Sequence, residues 1–177
     1  MKMFRIRSAK HPMLNMILPL YSSTFPVGER RTPGALLKML TVDQMRLMVV
    51  TDIGKFVGFM IYWQFRDFIF LEHMAISPKL RGLGYGRRMM HELMDKSHYQ
   101  IVLEVEHPTE QTSKKRIRFY EGLGFMKIPH PYFQPPYEKN GKPIPMVLMA
   151  LTSFNDMATL NDTLRQIREE VYERFYL

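Results

Sequence analysis

Cysteine is absent from this sequence of 177 residues. Disulfide bonds and catalysis by a thiolate are therefore both excluded. The six histidines are scattered and include no HxxxH or HxH pair. Because closely spaced histidines are the usual sequence sign of a metal centre, we expect no metal in this protein.

Long apolar runs are also missing, since none reaches the about 18 residues that a membrane-spanning helix needs. The apolar stretch MLNMILPL, residues 13–20, is interrupted by Asn15 and Pro19, and no small-residue cleavage site follows it. We therefore expect a cytoplasmic protein that has no membrane partner.

Acidic residues are in the minority, with 17 Asp and Glu against 25 Lys and Arg, for a net charge of +8. Such a balance favours an anionic ligand, a nucleic acid or an acidic surface as the partner. The basic residues cluster partly at 79–88 and 114–118, and no motif of a nucleic-acid-binding fold is present. We therefore expect a small anionic ligand and no nucleic acid.

The apolar fraction, 46%, and the chain length predict a single domain over residues 1–177. Its core covers about residues 3–152. A first strand, Met3–Arg7, precedes a helix from about Pro12. Three alternating apolar runs then predict strands joined by turns at residues 52–54 and 66–67, and short turns imply antiparallel neighbours. These runs are RLMVVTD (46–52), KFVGFMIYWQF (55–65) and DFIFLEHMAI (67–76).

Apolar residues at helical spacing predict the later helices. The first runs from Gly84 to about Ser97, and the strand IVLEVE (101–106) follows it, so this strand and the preceding one should form a parallel pair around a crossover helix. Next come a helix at SKKRIRFYEGL (113–123), stopped by Gly122 or Gly124, and a strand at PMVLMALTSF (145–154). The predicted fold is a mixed α/β domain with a mostly antiparallel sheet.

The tail, residues 155–176, is predicted to be one amphipathic helix. It packs either on the domain itself or on a second subunit, which would make a homodimer. Its apolar face consists of Met157, Leu160, Leu164, Ile167, Val171 and Phe175.

The stretch RGLGYG, residues 81–86, stands between the third strand of that run and a helix. Glycines at such a turn let the backbone approach a phosphate, and the helix N-terminus attracts an anion. Arg81, Arg87 and Arg88 add full positive charges. The turn contains neither GxGxxG nor GK[ST], so it is neither a dinucleotide fingerprint nor a P-loop.

The pattern Arg-x-x-Gly-x-Gly resembles the coenzyme A pyrophosphate loop of the GNAT superfamily of N-acetyltransferases. Residues 71–90 are similar to that family's fourth strand, loop and third helix, and IVLEVE is similar to its fifth strand. RFYEGLGF, residues 118–125, resembles the family's next helix with its tyrosine, and FPVGER, residues 25–30, resembles a stretch between its first two helices. The resemblance covers about residues 3–152 and implies a GNAT-like sheet with a splayed parallel strand pair.

This resemblance implies transfer of an acetyl group from acetyl-CoA to a primary amine of a small molecule or peptide, by direct attack in a ternary complex. Ser113 stands where many members have an asparagine that contacts the pantetheine arm. The residues implied to bind the coenzyme are Met74, Ala75, Ile76, Arg81, Gly82, Leu83, Gly84, Tyr85, Gly86, Arg87 and Ser113.

Tyr120 matches the family's tyrosine, whose hydroxyl can donate a proton to the departing thiolate. The alternative is a tyrosine that only packs in the core.

Glu72 and Glu104 are the two candidates for the base that deprotonates the amine. Glu72 stands in an apolar strand, where a carboxylate is costly without a task. Glu104 matches a base of members that acetylate protein N-termini. We weigh Glu72 slightly above Glu104, and the alternative for each is a buried ion pair with an arginine. His73, on the opposite face of its strand, is expected to be a packed histidine.

Two segments, YSSTFPVGERR (21–31) and PHPYFQPPYEKNGKP (129–143), match those that line the acceptor site in the family. The aromatic residues of the second segment either wall a pocket for the amine or form a rigid hairpin tip. An alternative function is a domain that senses acyl-CoA without turnover. Such a sensor could dispense with Tyr120, Glu72 and Glu104.

Overall fold

The computed structural model describes residues 1–95 and 99–176. These residues form a mixed α/β fold whose eight-stranded sheet is mostly antiparallel, with one parallel pair, flanked by helices and followed by a C-terminal helix. The fold class predicted from the sequence is thereby confirmed. The strands are β1 (Lys2–Ile6), β2 (Met45–Asp52), β3 (Lys55–Gln64), β4 (Phe68–Ile76), β5 (Gln100–Glu106), β6 (Met126–Lys127), β7 (Tyr132–Gln134) and β8 (Ile144–Ala150). The helices are α1 (Leu14–Thr24), α2 (Pro33–Met39), α3 (Tyr85–Asp95), α4 (Gln111–Glu121) and α5 (Met157–Gln166).

The strand order is β1-β2-β3-β4-β5-β8-β6, and β7 also pairs with β8. Two compact units make up the chain, and the boundary between them falls within β4. Of the described residues, the first unit contains 1–66 and 71–95, and the second contains 67–70 and 99–176.

The first unit is built on an antiparallel meander. Phe4 of β1 pairs with Val49 of β2, and Leu47 of β2 pairs with Ile61 of β3. The tight turn between β2 and β3 lies at residues 52–54, as predicted, and its Gly54 has a φ of +73°. Residues 57–61 of β3 are all buried, as expected for a strand covered on both faces.

The second unit is organised around β8, which pairs with three strands. Leu148 of β8 pairs with Glu104 of β5, Met149 with Lys127 of β6, and Met146 with Tyr132 of β7. The short strands β6 and β7 were not predicted from the sequence. Part of the proline-rich segment 129–143 is thus in the sheet. Strand β7 pairs with β8, and the sequence of β7 alone does not predict this pairing.

Several predicted boundaries differ from the structure by one or two residues. Strand β1 ends at Ile6 rather than Arg7, and α1 begins at Leu14 rather than near Pro12. Helix α3 begins at Tyr85, directly after Gly84, and its predicted end near Ser97 lies outside the described residues. Helix α4 begins at Gln111, two residues before the predicted start, because Glu110 and Ser113 bond each other's groups and cap this end.

The tail is not the single regular helix that its apolar spacing predicts. Helix α5 ends at Gln166, a π-helical segment covers Ile167–Tyr172, and a 3-10 turn covers Glu173–Phe175. Met157, counted on the predicted apolar face, is 57% exposed. Because a π-helix has more residues per turn than an α-helix, the buried stripe ends at Val171 and Tyr172, and Phe175 is only half-buried.

Candidate active site

A glycine turn, defined here as residues 81–84, leads directly into α3. It follows a 3-10 helix, Pro78–Leu80. Gly82 and Gly84 have φ values of +80° and +82°, a left-handed conformation that favours glycine. A Cβ at either position would meet no heavy atom within 4 Å, so the backbone of the turn faces open space. Since the first N–H groups of an α-helix have no partners within the helix, this end of α3 is suited to an anion.

Positive charge accompanies the turn. Arg81 donates through Nε to the carbonyl oxygen of Ile76 at 3.2 Å, which ties the turn to the end of β4. Arg87 and Arg88 are exposed on the first turn of α3, and that turn contains no acidic residue. The helix start thus combines main-chain donors with full charges, which is the chemistry that a pyrophosphate requires.

Tyr85, the first residue of α3, is anchored to the end of β2. Its hydroxyl donates to Oδ2 of Asp52 at 2.8 Å, and this hydrogen bond raises the pKa of Tyr85. Arg88 lies 3.7 Å from the same carboxylate oxygen. Asp52 therefore orients the start of α3 and partly neutralises the charge of Arg88.

The main chain near the end of β4 is accessible. The side chain of Glu72 is only 1% exposed, yet the residue as a whole is half-buried, so its exposed area belongs to the backbone. Met74 and Ile76 are half-buried and Ala75 is buried. Gly58 of β3 allows the close approach of this segment, because a Cβ there would overlap the carbonyl oxygen of Ala75.

The carboxylate of Glu72 is held by two side chains. Arg31 donates to Oε1, and the indole Nε1–H of Trp63 donates to Oε2 at 2.6 Å. The Arg31 side chain is 5% exposed, so this ion pair is buried on both sides. Of the two roles weighed for Glu72, the buried ion pair with an arginine is the one that the structure displays directly.

His73 is buried in an aromatic cluster. Its ring lies edge-on to Phe25 and Tyr21, with centroids at 4.3 and 5.1 Å, and Nε2 is 2.9 Å from the carbonyl oxygen of Glu29. The Tyr21 hydroxyl accepts from the backbone N–H of Arg31 at 2.9 Å. Burial lowers the pKa of His73, so its neutral form is favoured. The expectation of a packed, hydrogen-bonded histidine is confirmed.

Helix α4 carries two of the candidate residues. Ser113 is buried, and its hydroxyl donates to the carbonyl oxygen of Glu110 at 2.9 Å within the cap. Tyr120 is buried against Phe119 and Phe125, with ring centroids at 5.1 and 5.7 Å. Burial raises the pKa of Tyr120 to about 12, so the hydroxyl keeps its proton at neutral pH.

Glu104 of β5 lies among tyrosines. The hydroxyl of Tyr172, in the π-helical segment, donates to its Oε1. Tyr132 of β7 is buried, and burial together with the charge of Glu104 raises the pKa of Tyr132 well above its ordinary value. Glu106, two residues further along β5, pairs instead with Arg116 at a partly exposed position.

Sequence reasoning missed the residues that hold the two candidate bases. Arg31 stood in a segment expected to line the acceptor site, but nothing marked it as the partner of Glu72. The apolar pattern assigns Trp63 to a strand and predicts no contact with Glu72. Regular helical spacing selects Val171 and Phe175 for the apolar face of the tail and does not select Tyr172. Each partnership joins positions more than eight residues apart, so local periodicity cannot reveal it.

Two negative observations apply to the described residues, 1–95 and 99–176. They contain no helix long and apolar enough to cross a membrane. They also contain no group of three or more His, Asp or Glu side chains arranged to hold a metal ion.

Comparison with known proteins finds similarity to one family. The model of the acetyltransferase (GNAT) domain matches residues 43–127, which include the glycine turn, Glu72, Glu104 and Tyr120. A solved GNAT-family structure from Bacteroides thetaiotaomicron, described as a putative acetyltransferase, superposes with a TM-score of 0.90 at 29% identity, over 97% of this chain and 98% of that one. Residues 43–127 match a GNAT acetyltransferase domain, and the chain shares the fold of a GNAT-family structure.

The chain is also similar to two other proteins. YjbC of Bacillus subtilis (strain 168), described as a putative acetyltransferase, is 29% identical over 102 residues, or 56% of this chain. The match spans about half, 51%, of that curated relative. An aminoglycoside 6'-N-acetyltransferase solved with coenzyme A shares the fold at a TM-score of 0.63 and 17% identity, over 88% of this chain and all of that one. That protein of the same fold thus binds coenzyme A.

Proposed function

We propose that this protein transfers an acetyl group from acetyl-CoA to a primary amine of a small molecule or peptide, by direct attack in a ternary complex. The observation that carries the proposal is the glycine turn. Its two left-handed glycines expose the backbone at the start of α3, where a pyrophosphate would meet free N–H groups and arginines.

The coenzyme would be held largely by main-chain groups. Residues 82–86 would bind the pyrophosphate, with Arg81 and Arg87 adding charge. The backbone of residues 74–76 would bond the pantetheine amide, and an N–H there would stabilise the oxyanion that forms when the amine attacks. Ser113 is the weakest member of this set, because the helix cap already uses its hydroxyl.

Tyr120 would act as the acid for the departing thiolate. Its burial keeps the hydroxyl protonated at neutral pH. When the amine attacks the thioester carbonyl, the C–N bond forms and the C–S bond breaks. The coenzyme sulfur then takes the hydroxyl proton of Tyr120.

Glu104 is the better candidate for the base, in contrast to the slight preference for Glu72 on sequence grounds. Protonating Glu72 would leave the buried Arg31 without its counter-charge, which is strongly unfavourable. Glu104 accepts from a neutral tyrosine hydroxyl instead, so it can take a proton without stranding a charge. We therefore assign proton removal from the amine to Glu104 and a structural role to Glu72.

A turnover screen tests the proposal. Release of the coenzyme thiol from acetyl-CoA would be followed over polyamines, aminoglycosides, amino acids and peptides, with mass spectrometry of the product. An amine-dependent release that yields an acetylated amine supports the proposal. Tight acetyl-CoA binding, measured by calorimetry, without turnover on any amine would favour a sensor of acyl-CoA.

The base assignment has a matched control on the same strand. Glu104→Gln should lower kcat by about 10²–10⁴-fold at neutral pH and recover partly at high pH, where more of the amine arrives deprotonated. Glu106→Gln, two residues away with a partly exposed carboxylate, should keep its rate. Equal rates for Glu104→Gln and the wild-type enzyme would show that Glu104 is not the base.

A further inference from the structure

We infer that Tyr172 is a positioning residue for Glu104, so that the C-terminal tail is part of the catalytic apparatus. The inference rests on the proposed function, since it assigns Glu104 a task in proton transfer. Tyr172 lies 45 residues beyond the end of the region that matches the family model, counted from 127 to 172. The family match by itself therefore assigns it no role.

The hydroxyl of Tyr172 meets the carboxylate directly. It donates to Oε1 of Glu104, and Tyr172 is only 1% exposed. A buried hydrogen bond to a carboxylate fixes its rotamer and stabilises its ionised form. A general base needs both, because it must point at the amine and must be ionised when the substrate arrives.

The ring of Tyr172 is fixed by aromatic contacts. It packs against Tyr137, with centroids 5.0 Å apart, and against Phe70, with centroids 6.5 Å apart. Tyr137 belongs to the proline-rich segment 129–143, whose aromatic residues were candidates for a pocket wall. The structure thus gives Tyr137 a clear task, which is to hold the ring that orients Glu104.

The π-helical segment explains why Tyr172 reaches this position. Regular α-helical spacing would continue the buried face from Val171 to Phe175. The π-helical turn over residues 167–172 instead buries the adjacent pair Val171 and Tyr172. Such turns are rare and frequently occur at functional sites. The hydroxyl of Tyr172 lies against Glu104 from this segment.

Other charged and titratable groups lie near this pair. The charge of Glu104 raises the pKa of Tyr132 in β7, and the charge of Arg168 in the tail lowers it. Glu106 of β5 is engaged by Arg116. Removing the Tyr172 hydroxyl would therefore remove a hydrogen-bond donor from Oε1 while these charges stay in place.

The test is Tyr172→Phe, which keeps the ring and removes only the hydroxyl. The ionised form of Glu104 should become less stable, so the acidic limb of the kcat pH profile should move by about one to two units to higher pH. The KM for acetyl-CoA should stay unchanged. Tyr176→Phe removes a hydroxyl from the same tail and should leave the profile in place. An unmoved limb in folded Tyr172→Phe would overturn the inference.

A second measurement does not depend on turnover. Carboxyl signals of ¹³C-labelled glutamate, assigned with Glu104→Gln, would be titrated by NMR in the wild-type protein and in Tyr172→Phe. The Glu104 midpoint should rise in Tyr172→Phe and stay the same in Tyr176→Phe. If no amine is acetylated but the midpoint rises, the proposed function fails and the Tyr172–Glu104 relationship stands. If turnover is normal and neither limb nor midpoint moves, only the inference fails.

Discussion

The indole of Trp63 and the guanidinium of Arg31 hold separate oxygens of one buried carboxylate, that of Glu72. Trp63 donates to Oε2 at 2.6 Å and Arg31 donates to Oε1. The carboxylate satisfies a buried cation and an indole N–H at once. Glu72 thereby joins β3 and β4 to the segment that precedes α2.

Glu72→Gln should destabilise the protein strongly. The amide cannot neutralise Arg31, and an uncompensated buried charge costs about 3–5 kcal/mol of unfolding free energy. Urea unfolding followed by circular dichroism would measure this loss. Glu106→Gln is the matched control, because its pair with Arg116 is partly exposed and should contribute at most about 1 kcal/mol. Equal losses in the two variants would contradict a special role for the Glu72 pair.

His73 should make the protein less stable in mild acid. Burial lowers its pKa in the folded state below the ordinary 6.5, so below that pH the unfolded chain binds the extra proton. Stability is then complete above about pH 6.5 and falls as the pH drops, by up to about 1.4 kcal/mol for each pH unit.

Urea midpoints between pH 5 and 8 would show this dependence. His73→Gln, which keeps a donor for the Glu29 carbonyl, should flatten it, whereas His91→Gln changes an exposed histidine and should not. A slope that is the same in all three proteins would assign the acid sensitivity to other groups.

Gly84→Glu should abolish binding of acetyl-CoA. A side chain at a φ of +82° would enter the open space in front of α3 and place a negative charge at the proposed pyrophosphate site. Calorimetry would measure the affinity, and thermal unfolding would check the fold. Gly124→Glu has a similar φ of +93° and only an ordinary contact with Leu151, so it controls for backbone strain and added charge. Unchanged affinity in folded Gly84→Glu would refute this site.

Tyr120→Phe should lower turnover and leave acetyl-CoA binding nearly intact, because only the hydroxyl is lost. A general acid is worth about 10²–10⁴-fold in rate. The comparison requires kcat where chemistry limits the rate, together with calorimetry for binding. Tyr99→Phe, at a partly exposed position, is the control and should keep its rate. A normal rate in Tyr120→Phe would leave Tyr120 with a packing role only.

The sequence by itself determined the fold class and the position of the glycine turn. Both depend on local patterns: alternation along β2 to β4, helical spacing in α3, and glycines placed where only a left-handed backbone fits. The sequence also placed Glu72, Glu104 and Tyr120 on the correct elements, because a strand or helix assigns each residue to a position by its period alone.

Only the tertiary structure decided what surrounds the two glutamates. Arg31 meets Glu72 across 41 positions, and Tyr172 meets Glu104 across 68. The first contact makes Glu72 a poor proton acceptor, and the second supplies Glu104 with a neutral donor. Protonation depends on burial and on the charges nearby, which folding sets by bringing distant segments together. Periodicity places a carboxylate on a strand. Whether that carboxylate can accept a proton depends on partners from segments distant in the sequence.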